Sequence, residues 1–193
     1  MIGNRLPLIA SAGLICLGLW QLAEGGWIHA KAALASHLMG NAWAETLEGA
    51  SEVRPWPWAD TWPVARLRFT SLKRELPVLA GASGSSLAFG AGHLDGTALP
   101  GMPGTSVIAG HRDTSFTFLG GLKDGDPISV QGRDGKWRGY RIVHTAVADA
   151  RLPWRTPSLD KGKSAITLVT CWPLDAIVPG GPMRYVVYAE QVQ

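Results

Sequence analysis

The sequence predicts an all-β domain, an eight-stranded barrel, preceded by an N-terminal transmembrane helix and a short helical, Trp/Pro-rich connector. Three observations lead there. Residues 6–23 are 18 consecutive positions without Asp, Glu, Lys or Arg. From residue 64 onward, short apolar runs alternate with Gly-, Pro- and Asp-containing turns at eight places in about 130 residues. No long amphipathic helix interrupts them, which argues against an α/β layering. At 193 residues the chain holds one ordinary domain and an appendage. Its parts read as 1–24, a cytoplasmic tip and transmembrane anchor; 25–63, a helix and Trp/Pro-rich connector; and 64–193, the barrel.

The apolar stretch spans about 27 Å as a helix, close to the roughly 30 Å of a hydrocarbon core. Arg5 precedes it and Glu24 follows it. The positive-inside rule then places the N-terminus in the cytoplasm and the rest of the chain outside. A cleaved signal peptide is the competitor. The nearby A-x-A match, Ala42-Trp43-Ala44, lies some twenty residues beyond the apolar stretch, too far for normal processing.

Residues 27–47 are rich in Ala and Leu and form helix readily. Ile28, Ala32, Ala35, Leu38, Met39, Ala42 and Trp43 recur at three- and four-residue steps and make one apolar face. That face suits packing on the barrel or lying on a bilayer, and a plain spacer helix is equally compatible. His29 and His37 have no metal-ligand partner four residues on and read as solvated or packing residues. The connector Arg54-Pro55-Trp56-Pro57-Trp58-Ala59-Asp60-Thr61-Trp62-Pro63 follows. Its prolines end the helix, and its tryptophans are too apolar for a free linker. They pin the segment to the barrel or to the membrane interface; an aromatic substrate platform is the weaker reading.

The strands are expected at 64–72, 77–79, 86–89, 105–109, 127–131, 136–147, 164–170 and 184–190. Arg133-Asp134-Gly135-Lys136 reads as a hairpin turn, since Asp-Gly favours the type I′ geometry. The net charge of +3 is mild and the basic residues are scattered, which sets nucleic-acid binding aside. Of the two cysteines, Cys16 lies in the apolar stretch, so Cys171 is the single thiol of the barrel and no internal disulfide framework is possible.

Cys171 ends the run Thr167-Leu168-Val169-Thr170-Cys171, before a Pro/Gly-rich loop. A second run, Ser106-Val107-Ile108-Ala109, ends in Gly110-His111-Arg112-Asp113 and is preceded by Gly92-His93-Leu94-Asp95-Gly96-Thr97. Arg184 opens the last strand. A thiol, an imidazole and a guanidinium, each beside a strand end, are the parts that covalent acyl transfer needs. In this order and spacing they resemble the sortase family of membrane-anchored cysteine transpeptidases, whose T-L-x-T-C pattern residues 167–171 match. The resemblance covers 64–193. The short length, the anchor and the Trp-Pro connector look most like the small single-anchor sortases of Gram-negative bacteria (class GN).

Sortases are eight-stranded β-barrels, which agrees with the strand pattern. The resemblance implies that Cys171 attacks a threonine carbonyl in an LPxTG-like sorting motif and forms a thioacyl intermediate. His111 then serves as general acid and base, and Arg184 donates to the oxyanion or the substrate backbone. Thr170 either supports the substrate or is structural, and His93 either flanks the groove or is a hydrogen-bonded turn residue. Asp113 either orients His111 or caps its own turn. Arg184 has a surface ion pair with Asp175 or Glu190 as its bland alternative, and His144 reads as structural. The implied partners are a surface protein bearing a C-terminal sorting motif and an amine acceptor, a cell-wall precursor or a pilin lysine, with water as the alternative nucleophile. The connector lacks an Asp-Pro-Trp-type lid motif, which favours anchoring over pilin polymerisation. The implied location is the inner (cytoplasmic) membrane, single-pass, with the catalytic domain extracytoplasmic, in a periplasm.

Other classes fit less well. His93, His111, His144 and Cys171 lack CxxC, HxxxH or HxH spacing, so no metal site is expected, and without an acidic cluster no cofactor is either. The signatures of papain-like and caspase-like proteases are absent. A non-catalytic, membrane-tethered interaction module is the remaining alternative; it requires that Cys171→Ala leave function intact.

Overall fold

The computed structural model describes residues 5–152, 162–178 and 180–192. Residues 1–4, read as part of a cytoplasmic tip, lie outside them. The chain divides into two compact units, residues 1–38 and 39–193.

The apolar stretch and the Ala/Leu-rich stretch form one helix, α1 (Arg5–Leu47), of 43 residues. It runs unbroken through Glu24-Gly25-Gly26, where the sequence marks a boundary. Each glycine there costs about 1 kcal/mol relative to alanine, too little to break a helix with strong helix formers on both sides. Pro7–Leu47 contains a window long and apolar enough to cross a membrane. In the second unit, Met39, Ala42, Trp43 and Thr46 are buried, at the i, i+3, i+4, i+7 spacing of one helix face. Trp43 Nε1 donates to Gln131 Oε1 at 3.3 Å, and the Arg66 guanidinium lies 6.0 Å from the Trp43 ring. The helix stops before Gly49, whose φ of +103° suits a residue without Cβ.

The connector is pinned to the barrel by two of its three indoles. Trp62 packs against the core, and Trp56 meets Phe89 edge-on at 5.1 Å. Trp58 is 83% exposed. Thr61 Oγ1 donates to the Ala80 carbonyl at 2.7 Å, and the Ala80 amide donates to the Trp62 carbonyl at 2.8 Å.

Among the described residues eight strands follow: β1 (Pro63–Phe69), β2 (Arg74–Ala80), β3 (Ala91–His93), β4 (Gly104–Ala109), β5 (Pro127–Gln131), β6 (Trp137–Asp149), β7 (Ser164–Cys171) and β8 (Met183–Gln191). They close into a barrel in the order β1-β2-β3-β4-β7-β8-β6-β5. Two neighbour pairs are parallel, β2 with β3 and β4 with β7, so each needs a crossover. A short helix, α2 (Gly84–Phe89), makes the first, and the β5–β6 hairpin lies within the second.

Two expected strands need correction. Residues 86–89 are the end of α2, and the strand in that part of the chain is Ala91–His93. Ser86 Oγ donates to the Ala80 carbonyl at 2.7 Å, which folds the serine-rich segment back on β2. The expected 64–72 strand ends at Phe69, and a 3₁₀ turn leads to Lys73 at φ +50°. The core holds Leu67, Phe69, Val78, Ala91, Ile108, Phe116, Ile128, Tyr140, Ile142, Ile166, Leu168 and Val187, and every strand contributes to it. Buried Tyr140 satisfies its hydroxyl against Ser164 Oγ at 2.7 Å.

Candidate functional site

The site follows from strand parity and register. In β7, Ile166 and Leu168 belong to the core, so Thr167, Val169 and Cys171 alternate onto the outer face. Every residue of β4 from Gly104 to Ala109 pairs with the β7 residue 60 positions on. The Gly110 amide extends that ladder by donating to the Val169 carbonyl at 3.0 Å. His111 and Cys171 share the same offset of 60, so the register carries their backbones toward one end of the barrel. Beyond His111 the chain turns, and the Phe116 amide donates back to the His111 carbonyl at 2.9 Å.

In the antiparallel ladder between β7 and β8, Cys171 pairs with Arg184. Directly opposed residues share a face. One terminal nitrogen of Arg184 donates to the carbonyls of Gly181 (2.8 Å) and Met183 (2.9 Å). Among the described residues Arg184 has no ion pair, with Asp175, Glu190 or any other carboxylate. Cys171 is a free, half-buried thiol, and Cys16 is free and exposed on α1.

On the same outer face lies a groove of about 780 Å³, lined by Val107, Ala109, Val169, Leu94, Leu152 and Arg184 among others. Its walls are mainly aliphatic, with the Arg184 fork as their charged group. His93 sits beneath the turn that borders the groove. Its Nε2 lies 2.9 Å from the Ala98 carbonyl and 3.0 Å from Thr97 Oγ1. The Thr97 hydroxyl spends its proton on the Leu94 carbonyl at 2.7 Å and accepts from the Val107 amide at 3.2 Å. It therefore accepts from His93 too, which assigns the histidine proton to Nε2. His93, the last residue of β3, is thus hydrogen-bonded to the turn at 94–98 and does not itself line the groove.

Thr170 is 2% exposed, and its hydroxyl donates to the Gly110 carbonyl at 2.7 Å. With its one proton spent inside the barrel, Thr170 braces the segment entering His111. Asp113 accepts from Arg112 Nε at 3.3 Å. His144 pairs with Tyr188, four residues along β6 from the partner of Arg184, and stays outside the cluster. Among the described residues, no group of three His, Cys, Asp or Glu side chains is placed to hold a metal.

Two neighbours of the site have no assigned part in the sequence reading. A Cβ on Gly110 would fall 2.6–2.8 Å from the Phe116 ring, so only glycine fits beneath that ring. Arg112 is 5% exposed and donates to the carbonyls of Pro173 and Val178. Both lie in the Gly110-His111-Arg112 triplet that the sequence marks; the ring over Gly110 is six residues on, and the carbonyls that Arg112 reaches are 61 and 66 residues away.

Comparison with known proteins gives a consistent family. The family described as the Sortase domain matches residues 67–192. Sortase D of Bacillus subtilis (strain 168) is 32% identical over 126 residues, covering 65% of this chain and 62% of that protein. The chain thus spans under two thirds of that relative's length. Sortase A from Corynebacterium diphtheriae superposes with a TM-score of 0.58 at 26% identity, over 83% of this chain and 85% of that one. Sortase C-1 from Actinomyces oris gives a TM-score of 0.56 at 30% identity, over 82% and 99%. The expected likeness to the small Gram-negative class is overturned, because these relatives are sortases A, C and D of Gram-positive bacteria. Length, anchor and connector describe how a barrel is tethered, which any anchored barrel shares, and they do not discriminate between subclasses.

Proposed function

The chain belongs to the sortase family, and on that premise we propose that it is a membrane-anchored cysteine transpeptidase that processes sorting signals. The carrying observation is the shared register: β4 and β7 are offset by 60, as are His111 and Cys171, and Arg184 is the cross-strand partner of Cys171.

The chemistry divides among three side chains. The Cys171 thiolate attacks the carbonyl carbon of the threonine in an LPxTG-like motif bound along the groove. Arg184 donates to the oxyanion of the tetrahedral intermediate, a task for which its permanently charged, planar fork is suited. As the C–N bond breaks, His111 gives its proton to the departing amine, and a thioester with Cys171 remains. An incoming amine loses a proton to His111, attacks the thioester and releases the Cys171 sulfur. The carboxyl group of the substrate is thereby joined to the new amine. His93 and Thr170 hold the groove wall and the histidine segment and do not react.

The apolar part of α1 anchors the protein in the membrane as a single pass, with the N-terminus in the cytoplasm and the barrel outside. Apolar side chains such as Leu8, Leu14 and Trp20 are exposed along that part, and burial in lipid removes about 25 cal/mol per Å² of unfavourable contact with water. Surface proteins with a C-terminal sorting motif are the substrates, and a cell-wall precursor or another amine is the acceptor.

The test is to incubate the full chain, in detergent micelles, with a library of LPxTG-like peptides and hydroxylamine. Mass spectrometry should find peptide hydroxamates and a thioester on Cys171, both absent from Cys171→Ala. A folded protein that yields neither with any library member excludes transpeptidation.

A further inference from the structure

The guanidinium of Arg112 is buried beside His111, and burying a charge is costly unless its hydrogen bonds are made. Here they are. Nη1 donates to the Pro173 carbonyl at 2.8 Å, Nη2 to the Val178 carbonyl at 3.2 Å, and Nε to the exposed Asp113 carboxylate at 3.3 Å. Two of these acceptors belong to the loop that leaves Cys171 and returns to Arg184. They lie 61 and 66 residues from Arg112 in sequence. The two segments also meet elsewhere, since Leu174 packs over Gly120, in the segment that follows His111. On its other side the loop is held by Arg184, which takes the Gly181 and Met183 carbonyls, and by Trp172 stacked on Tyr185 at 5.8 Å.

We propose that Arg112 is a positioning residue for acyl transfer: one guanidinium ties the segment bearing His111 to the loop between Cys171 and Arg184. It touches neither substrate nor the reacting atoms. It sets the separation of the three groups that do, and this role rests on the transpeptidase reading. The fork geometry matters, because two carbonyls and a carboxylate in different directions need three separate nitrogens. A lysine ammonium offers one point charge and cannot span them. A small misplacement of the acid/base relative to the thiol is enough to slow the reaction about a hundredfold.

The experiment compares wild type, Arg112→Gln, Arg112→Lys and Cys171→Ala as full chains in detergent micelles. The probes are a Leu-Pro-Ala-Thr-Gly peptide with hydroxylamine, for kcat and KM, and amide hydrogen exchange without substrate. Both Arg112 variants should lose at least tenfold in kcat, with KM changed by less than threefold. Exchange across residues 172–183 should quicken at least tenfold while β4 and β7 keep their protection. Equal turnover in Arg112→Gln and wild type, rescue by Arg112→Lys, or unchanged loop exchange each overturns the role of Arg112. A wild type that forms no Cys171-dependent hydroxamate overturns the transpeptidase reading first, and this role with it. If Arg112→Gln does not fold, Asp113→Asn carries the test: it removes an exposed partner, and a fall in kcat of about threefold is expected, against none if Arg112 only fills space.

Discussion

The hydroxyl of Thr170 donates to the carbonyl of Gly110 at 2.7 Å, across 60 residues of sequence. That bond joins the residue before Cys171 to the residue before His111. It stitches the two strand ends together on the inner side of the barrel, leaving the outer side open to the groove.

Thr170→Val should therefore strand a buried carbonyl. The expected cost is about 1–3 kcal/mol, while Thr170→Ser should retain most of the stability. Urea denaturation of the two variants measures this directly. Valine behaving like serine would show that the bond does not matter.

Gly110→Ala should push the Phe116 ring out of its place. Overpacking of this kind costs about 1–3 kcal/mol, and it displaces the chain that leads into His111. Adding Phe116→Leu should recover part of both stability and turnover, giving a coupling energy of at least about 0.5 kcal/mol in a double-mutant cycle. Strict additivity of the two changes would count against the contact.

Arg184→Lys keeps the charge but loses the fork. On the proposed chemistry kcat should fall about 10²–10³-fold, the usual effect of removing an oxyanion donor, with the melting temperature nearly unchanged. Single-turnover kinetics of thioester formation is the measurement, and wild-type rates in the lysine variant would remove Arg184 from the reaction.

Acid should loosen the hairpin between β5 and β6. Arg138 donates to Asp134 at 2.6 Å, and this bond chiefly holds the Asp134 carboxyl at about 2, below its ordinary 3.8. The folded state binds this proton more weakly than the unfolded state does. The stabilisation is thus complete above about pH 4 and is lost as pH falls through about 2. The pair is partly exposed, so its contribution is only about 0.5–1 kcal/mol. Asp149, lowered to about 2 mainly by Arg151, titrates in the same window. Thermal melts of wild type and Asp134→Asn at pH 5 and at pH 2 should differ at the first and converge at the second. An equal gap at both would assign the effect to packing.

Much of the barrel is legible in the chain because its strands carry their own signal. β4, β7 and β8 are runs rich in β-branched residues bounded by turn residues, and alternation along them is enough to place Cys171 on the face away from Ile166 and Leu168. β3 gives no such signal. Ala91-Gly92-His93 is three residues with no β-branched side chain, and it is a strand because β2 and β4 flank it. The neighbouring Ser86-Leu87-Ala88-Phe89 has a strand-like composition, yet its backbone turns back on Ala80. Local preference there is weak, and tertiary contacts decide.

The same division runs through the candidate site. His111, Cys171 and Arg184 are nameable from residue type and from their places at strand ends, because nucleophile, imidazole and guanidinium are the chemistry itself. What brings them toward one end of the barrel is register, and register is a property of paired strands. Arg112 and Thr170 matter through contacts with residues about 60 positions away, and Gly110 through a ring six residues on. Periodicity reports which side chains face inward, and motifs report which groups are reactive. Neither reports which carbonyl a buried guanidinium reaches, since that is settled only when the barrel closes and two loops far apart in the chain share one end of it.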